Sequence, residues 1–141
     1  MRAKTHPVAL TVAGSDSGGN AGVMADLRAF RDFRVHGCVA FAALTAQNPH
    51  GVRAIHPVLP GFILAQLSAV LEDYAVGAAK TGMLFNAPAI RAAAAVFGEV
   101  KFPVVVDPVM VATSGARLLQ PAAVHALEDA LLPLAFLVTP N

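Results

Sequence analysis

Short apolar runs of strand length alternate along this chain with longer stretches in which apolar residues recur every three or four positions, and polar, glycine-bearing corners separate the two. Val8 to Val12 is the first run and reads as a strand. Val23, Leu27 and Phe30 follow at helical spacing and predict a helix from about Ala21 to Phe33, ending near Arg34, whose positive charge suits a helix C-terminus. Gly37 breaks that pattern. Cys38 to Leu44 is then almost continuously apolar, as a strand covered on both faces should be. Thr45 to Arg53, containing Gln47, Asn48, Pro49 and Gly51, reads as polar and turn-forming. A second helix opens at Pro60, a residue suited to a first turn, and places Ile63, Leu67, Val70, Leu71 and Tyr74 on one face.

Val76 to Lys80 gives a third strand, with Thr81, Gly82 and Met83 at its C-terminal end. Asn86 is placed to cap an alanine-rich helix, Ala87 to Phe97, that breaks at Gly98. Val104 to Val106 is a fourth strand, ending at Asp107 and Pro108, and a loop from Val109 to Arg117 follows. A last helix, Pro121 to Leu132, turns Val124, Leu127 and Leu131 inward, and Phe136 to Val138 is a fifth strand before Thr139, Pro140 and Asn141. Strands alternating with helices in this way demand an α/β fold: a mainly parallel sheet with right-handed crossovers and helices on both faces. Ligands of such sheets bind outside the carboxyl ends of the strands, which is where the unusual polar residues of this sequence fall. No repeat, linker or low-complexity stretch divides the 141 residues, so one domain is expected.

Composition adds exclusions. With 56% hydrophobic and 13% charged residues the chain is apolar for its length, as a doubly covered sheet requires. A net charge of +1, with scattered Lys and Arg, leaves no footprint for nucleic acid or an anionic membrane. No apolar stretch reaches the roughly 18 residues that span a bilayer, and the N-terminal apolar run is too short for a signal peptide. Cys38, alone and in an apolar run, favours an inert thiol in a reducing, cytoplasmic setting. The five histidines show no ligand-like spacing, so structural zinc is not expected.

The chemistry concentrates at the first corner, A-G-S-D-S-G-G-N-A-G-V-M-A-D from Ala13 to Asp26. Its glycines permit close approach to the backbone, and free N–H groups at the helix start favour a polar or anionic partner. A tight βα turn with no ligand accounts for the glycines equally well. Gln47 and Asn48 read equally as loop residues, Asp26 as an exposed helix acid favoured by the dipole, and Asp107 as a strand-ending turn residue. Lys80 is less neutral: a lysine directly after an apolar strand needs a charge partner or a ligand.

Five segments in order extend this reading: A-G-S-D-S-G-G-N-A-G at 13–22 with A-D-L at 25–27, L-T-A-Q-N at 44–48, K-T-G-M-L at 80–84, V-D-P-V-M-V-A-T-S-G at 106–115 and L-V-T-P-N at 137–141. Together they resemble the hydroxymethylpyrimidine and phosphomethylpyrimidine kinase family of the ribokinase-like superfamily. The resemblance implies Mg²⁺ and ATP-dependent phosphorylation of 4-amino-5-hydroxymethyl-2-methylpyrimidine, and then of its monophosphate, in thiamine biosynthesis. By matching position it implies a pyrimidine site of Gly14, Asp26, Gln47, Met83 and Val109. It puts Asp107 on the phosphate and metal side, Asn141 on the nucleotide side, and the protein in a homodimer.

Such a site is chemically sensible. An aminopyrimidine edge presents an N–H donor beside a ring-nitrogen acceptor, and the Gln47 amide carries the complement. Asp26 accepts a further amine hydrogen, while Met83 and Val109 hold the flat ring in an apolar slot. The resemblance covers the N-terminal half of the family only. A ribokinase-like sheet truncated after the fifth strand is therefore expected, with an exposed edge at Phe136 to Val138 or its neighbour. Relatives continue past T-P-N into a glycine-rich G-T-G-C or G-x-G-D type loop that supplies the anion hole and the catalytic base, so no catalytic residue is expected among these residues. No G-x-x-x-x-G-K-[ST] motif takes that loop's place. Two readings stand beside the pyrimidine kinase: a pyridoxal or pyridoxine kinase, and a catalytically silent pyrimidine-binding fragment. A Rossmann oxidoreductase is disfavoured, because the corner is not G-x-G-x-x-G.

Overall fold

The computed structural model describes residues 6–111, 115 and 118–140. Six strands form one sheet in the order β3-β2-β1-β4-β5-β6. β1 (Val8–Gly14) is flanked in parallel by β2 (His36–Asn48) and β4 (Val76–Thr81), and β4 continues in parallel to β5 (Val104–Val106) and β6 (Leu137–Val138). Among the described residues only β3 (Gly51–Pro57) runs antiparallel, against the far half of β2. The mainly parallel sheet is as expected, but it has one strand more than the sequence pattern predicts.

The additional strand overturns the expectation of a polar turn from Thr45 to Arg53. β2 continues past Ala43, which lies opposite Gly14 at the end of β1, as far as Asn48. The chain turns within Pro49 and His50 and returns as β3, with Gly51 at a φ of 147°. Alternation explains why polarity misleads here. Thr45 is buried while Leu44 and Ala46 are exposed, so a polar residue faces the interior and the apolar ones face out. The hairpin therefore rises above the carboxyl ends of the central strands.

The helices follow from the crossovers. α1 (Gly22–Asp32) joins β1 to β2 on one side, whereas α2 (Pro60–Asp73) carries the chain back over β1 to β4, and α3 (Ala87–Phe97) carries it on to β5. Right-handed connections in opposite directions put α1 on one face and α2 and α3 on the other. On the second face Ile63 and Leu67 of α2 and Ala89, Ile90, Ala93 and Phe97 of α3 pack on Leu10, Val12, Ala79 and Val106. Alanines let α3 approach closely, and the Asn86 side chain caps it by accepting from the Ala89 N–H at 2.9 Å. Tyr74, expected on the inward face of α2, is instead its exposed C-cap and stacks on His36 at 5.2 Å between ring centroids.

The last helix is not a continuous α-helix. A 3₁₀ turn (Pro121–Ala123), one α turn (α4, Val124–Ala126), a π turn (Leu127–Leu131) and a second 3₁₀ turn (Leu132–Leu134) succeed one another. Pro133 supplies no N–H to an α-helical ladder there, while Leu127 and Leu131 still point into the core. At the other limit of the sheet β6 pairs, among the described residues, only with β5, and Phe136 and Leu137 are 78% and 52% exposed, as the expected edge would be. Among the described residues no helix is long and apolar enough to cross a membrane.

Leu67 is fully buried in α2 while Phe62 on the same helix is 62% exposed. Leu67→Ala should cost about 2–5 kcal/mol in denaturant unfolding. Phe62→Ala should change stability by no more than ~0.5 kcal/mol.

Candidate functional site

Because the connection after β1 leaves toward β2 and that after β4 leaves toward β5, a crevice opens between their carboxyl ends. A cavity of about 220 Å³ lies there. Gly14, Asp26, Gln47, Met83 and Val109, singled out from five separate stretches, all line it, and so do Lys80 and Asp107. Asn141 lies outside the described residues, as do residues 112–114, 116 and 117 of the loop after β5.

The glycine corner is built as a rigid wall. Gly22 starts α1 with a φ of 56° and its Cα faces the Gly14 carbonyl, so a Cβ there meets backbone. Asp16, 3% exposed, accepts from the N–H groups of Gly18, Asn20 and Ala21 at 2.8, 2.8 and 2.9 Å. These loop and N-cap amides are consequently not free for an anionic ligand, because the loop carries its own carboxylate, whereas the first turn of α1, from Gly22, receives no side-chain cap. Ser15 and Ser17 tie the corner to β2. The Thr45 N–H donates to Ser15 Oγ, the Thr45 hydroxyl to the Ser15 carbonyl, and the Gln47 N–H to Ser17 Oγ at 2.7 Å. The hairpin is thereby pinned beside the corner.

On the apolar side Met83 and Leu118 form a small cluster with Ala43, against which Val109, Val52, Ile55 and Phe85 pack. Met83 lies directly over Gly14, where a Cβ would collide with its terminal methyl. The half-buried Gln47 is held by its backbone, and its side-chain amide has no hydrogen-bond partner among the described residues. An unpaired amide donor and acceptor thus line the same cavity as the apolar Met83 and Leu118.

The charged side holds a partner that the sequence left unnamed. Lys80 Nζ contacts both oxygens of Asp26, at 3.0 and 3.2 Å, and the Thr11 hydroxyl donates to Asp26 Oδ2 at 2.6 Å. Thr11 and Lys80 are register partners on β1 and β4, so both side chains face α1, where Asp26 descends to meet them. With side-chain exposures of 15% for Asp26 and 24% for Lys80 this is a largely desolvated pair. Asp26 is therefore not an exposed helix acid. A sequence separation of 54 residues hid the contact, since only the strand order brings β4 beside β1.

Asp107, at the end of β5, has the opposite situation. Its Oδ1 is buried with no partner among the described residues, as is the hydroxyl of Thr81 on the neighbouring strand. Burial pushes the Asp107 carboxyl above its usual range, Lys80 pulls it down, and Asp26 pushes it further up. No cluster of three or more metal-ligating side chains occurs among the described residues.

Comparison with known proteins accords with this layout. The family model described as phosphomethylpyrimidine kinase matches residues 16–141. The chain belongs to this family. A hydroxymethylpyrimidine/phosphomethylpyrimidine kinase of Synechococcus elongatus is 49% identical over 135 residues, 96% of this chain and 51% of the relative. The crystal structure of phosphomethylpyrimidine kinase from Clostridium difficile 630 superposes with a TM-score of 0.89 at 40% identity, over 96% of this chain and 59% of that one. A pyridoxal kinase from Staphylococcus aureus, in complex with AMP-PCP and pyridoxal, superposes with a TM-score of 0.83 at 33% identity, over 97% and 49% of the two chains. The fold is thus that of ribokinase-like kinases, and this phosphomethylpyrimidine kinase family member spans about half the length of the curated relatives it matches.

Two outcomes follow from the carboxylates. Asp16→Ala leaves three loop amides without their charged acceptor and should cost ~2 kcal/mol or more in denaturant unfolding. The raised Asp107 carboxyl binds its proton more tightly in the folded chain, so its contribution to stability is present at low pH and lost as pH rises through the raised value. Asp107→Asn should melt above the wild type at neutral pH, and thermal scans should show that gain disappearing below about pH 3, where both carboxyl states are protonated.

Proposed function

We propose that the cavity is the alcohol-substrate site of an ATP-dependent kinase acting on 4-amino-5-hydroxymethyl-2-methylpyrimidine and its monophosphate, a reaction of thiamine biosynthesis. The observation that carries this reading is the convergence of Gly14, Asp26, Gln47, Met83 and Val109 on one cavity in a member of this kinase family. In it, the Gln47 amide pairs with the amine and ring nitrogen of the pyrimidine, and Asp26 Oδ1 accepts the second amine hydrogen. Met83 and Val109 exclude water from the ring faces, and bare Gly14 lets the ring lie against Met83. The hydroxymethyl group then points along the crevice toward Asp107.

The family resemblance implies Mg²⁺. Asp107 fits it: an orphaned, buried carboxylate oxygen is the hard donor this ion takes, and Mg²⁺ is commonly held by one or two carboxylates together with substrate phosphates. When bound, the ion neutralises charge on the transferring phosphate. The anion hole and base belong in this proposal to the G-T-G-C or G-x-G-D type loop of the family, which is not among these residues. The buried, unpaired Cys38, whose thiol pKa burial raises, supports a reducing, cytoplasmic setting. The resemblance supports a homodimer.

Pyridoxal is the second reading, favoured by the superposition on pyridoxal kinases at 33–38% identity, but curated relatives named hydroxymethylpyrimidine/phosphomethylpyrimidine kinase match at higher identity, 46–50%. Competition between pyridoxal and the pyrimidine alcohol for the cavity separates the two.

Calorimetric titration tests the proposal directly. The chain should bind the pyrimidine alcohol, and Gln47→Ala should weaken binding by about tenfold or more, the loss expected for one well-made donor–acceptor pair. Unchanged affinity in folded Gln47→Ala would remove the pyrimidine from this cavity. Turnover with Mg-ATP, read by mass spectrometry of the mono- and diphosphate, reports whether these residues alone transfer the phosphoryl group.

A further inference from the structure

We propose that Lys80 fixes the charge of the ring that the cavity accepts: paired with Asp26, it makes the site select a neutral aminopyrimidine over a pyrimidinium cation. The inference rests on the pyrimidine reading above and concerns a residue to which that reading gives no role.

A carboxylate as little exposed as Asp26 attracts any cation that can reach it, and aminopyrimidines take up a proton on a ring nitrogen rather than on the amine. Unpaired, Asp26 would favour the protonated ring. Where the proton sits on the ring nitrogen beside the amine, that form has lost the acceptor that the Gln47 amide needs. Lys80 removes the conflict, because the Asp26–Lys80 pair is formally neutral.

The lone pairs of Asp26 leave room for the amine in either charge state, so charge alone separates the two rings. Oδ2 accepts from the Thr11 hydroxyl and from Lys80, and Oδ1 accepts from Lys80 alone. One position on Oδ1 remains for the spare N–H of the ring amine.

The other charges around the cavity make Lys80 decisive. Asp16 from the corner is occupied by three amides, and Asp107 from β5 brings a second carboxylate. Lys80 is the one lysine or arginine lining the cavity among the described residues. Without it Asp26 and Asp107 would leave a strongly cation-attracting site. Its place is also fixed, since its backbone is locked opposite Thr11 in the middle of the sheet and its ammonium is held on both Asp26 oxygens.

The test compares two probes on the full chain by calorimetry at pH 8: 4-amino-5-hydroxymethyl-2-methylpyrimidine, and the same compound methylated on a ring nitrogen, a permanent cation. The quantity read is the ratio of their affinities, in which a general loosening of the site cancels. Wild type should prefer the neutral probe. In Lys80→Met the ratio should move toward the cation by about tenfold or more, as expected when a unit charge a few ångströms away is removed. Lys80→Arg should restore the wild-type ratio, and Lys80→Met combined with Asp26→Asn should reverse the shift. Should Lys80→Met fail to fold, Asp26→Asn alone reads the same effect with the opposite sign, toward the neutral probe.

A ratio in folded Lys80→Met or Asp26→Asn equal to that of the wild type overturns the role of Lys80 while leaving the pyrimidine site standing. A wild type that binds neither probe overturns both.

Discussion

A right-handed crossover can lay its helix on only one face of a parallel sheet, and β1 is where this chain changes faces. The connection to β2 takes α1 to one side, and the return to β4 takes α2 and α3 to the other. Every feature of the candidate site depends on that reversal. It opens the crevice, puts the glycine corner opposite Gly82 and Met83, and leaves the α1 face of β1 and β4 free for Asp26 to reach Lys80. The hairpin of β2 and β3 then closes one side, because it extends past the end of β1 and is held there by Ser15 and Ser17.

Three acidic residues around one cavity meet three different environments, and the differences define the site. Asp16 is surrounded by amides and serves the backbone. Asp26 is compensated by an ammonium and a hydroxyl and presents a neutral, directional acceptor. Asp107 has an oxygen with no partner and a raised pKa, the condition of a group whose counterpart is a ligand. Residue type alone does not separate them; the number of donors within reach does.

Much of this was legible in the sequence, for identifiable reasons. Val104–Val106 and the first strand announce themselves because doubly buried strands are continuously apolar, and α3 because Asn86 and Gly98 bracket an alanine-rich run. The cavity-lining residues Gly14, Asp26, Gln47, Met83 and Val109 were reached through five short motifs whose common position at strand ends the alternation of elements already implied. What stayed hidden depends on position in space. The β3 strand was masked because Thr45 faces inward while Leu44 faces out. Asp16 reads as one more loop acid until the loop curls around it, and the Lys80–Asp26 pair requires knowing that the third predicted strand lies next to the first.

That pair has a consequence for assembly. Side chains on a strand alternate between faces, so sliding β4 by one residue along β1 would send the Lys80 ammonium into the apolar layer formed by α2 and α3 and bring Thr81 under α1. An uncompensated charge in that layer is far more costly than any misplaced methyl group. The ion pair accordingly acts as a gauge of strand alignment: the two central strands can join in comfort only in the register that also completes the cavity, so a chain that has formed this sheet has already formed its pocket.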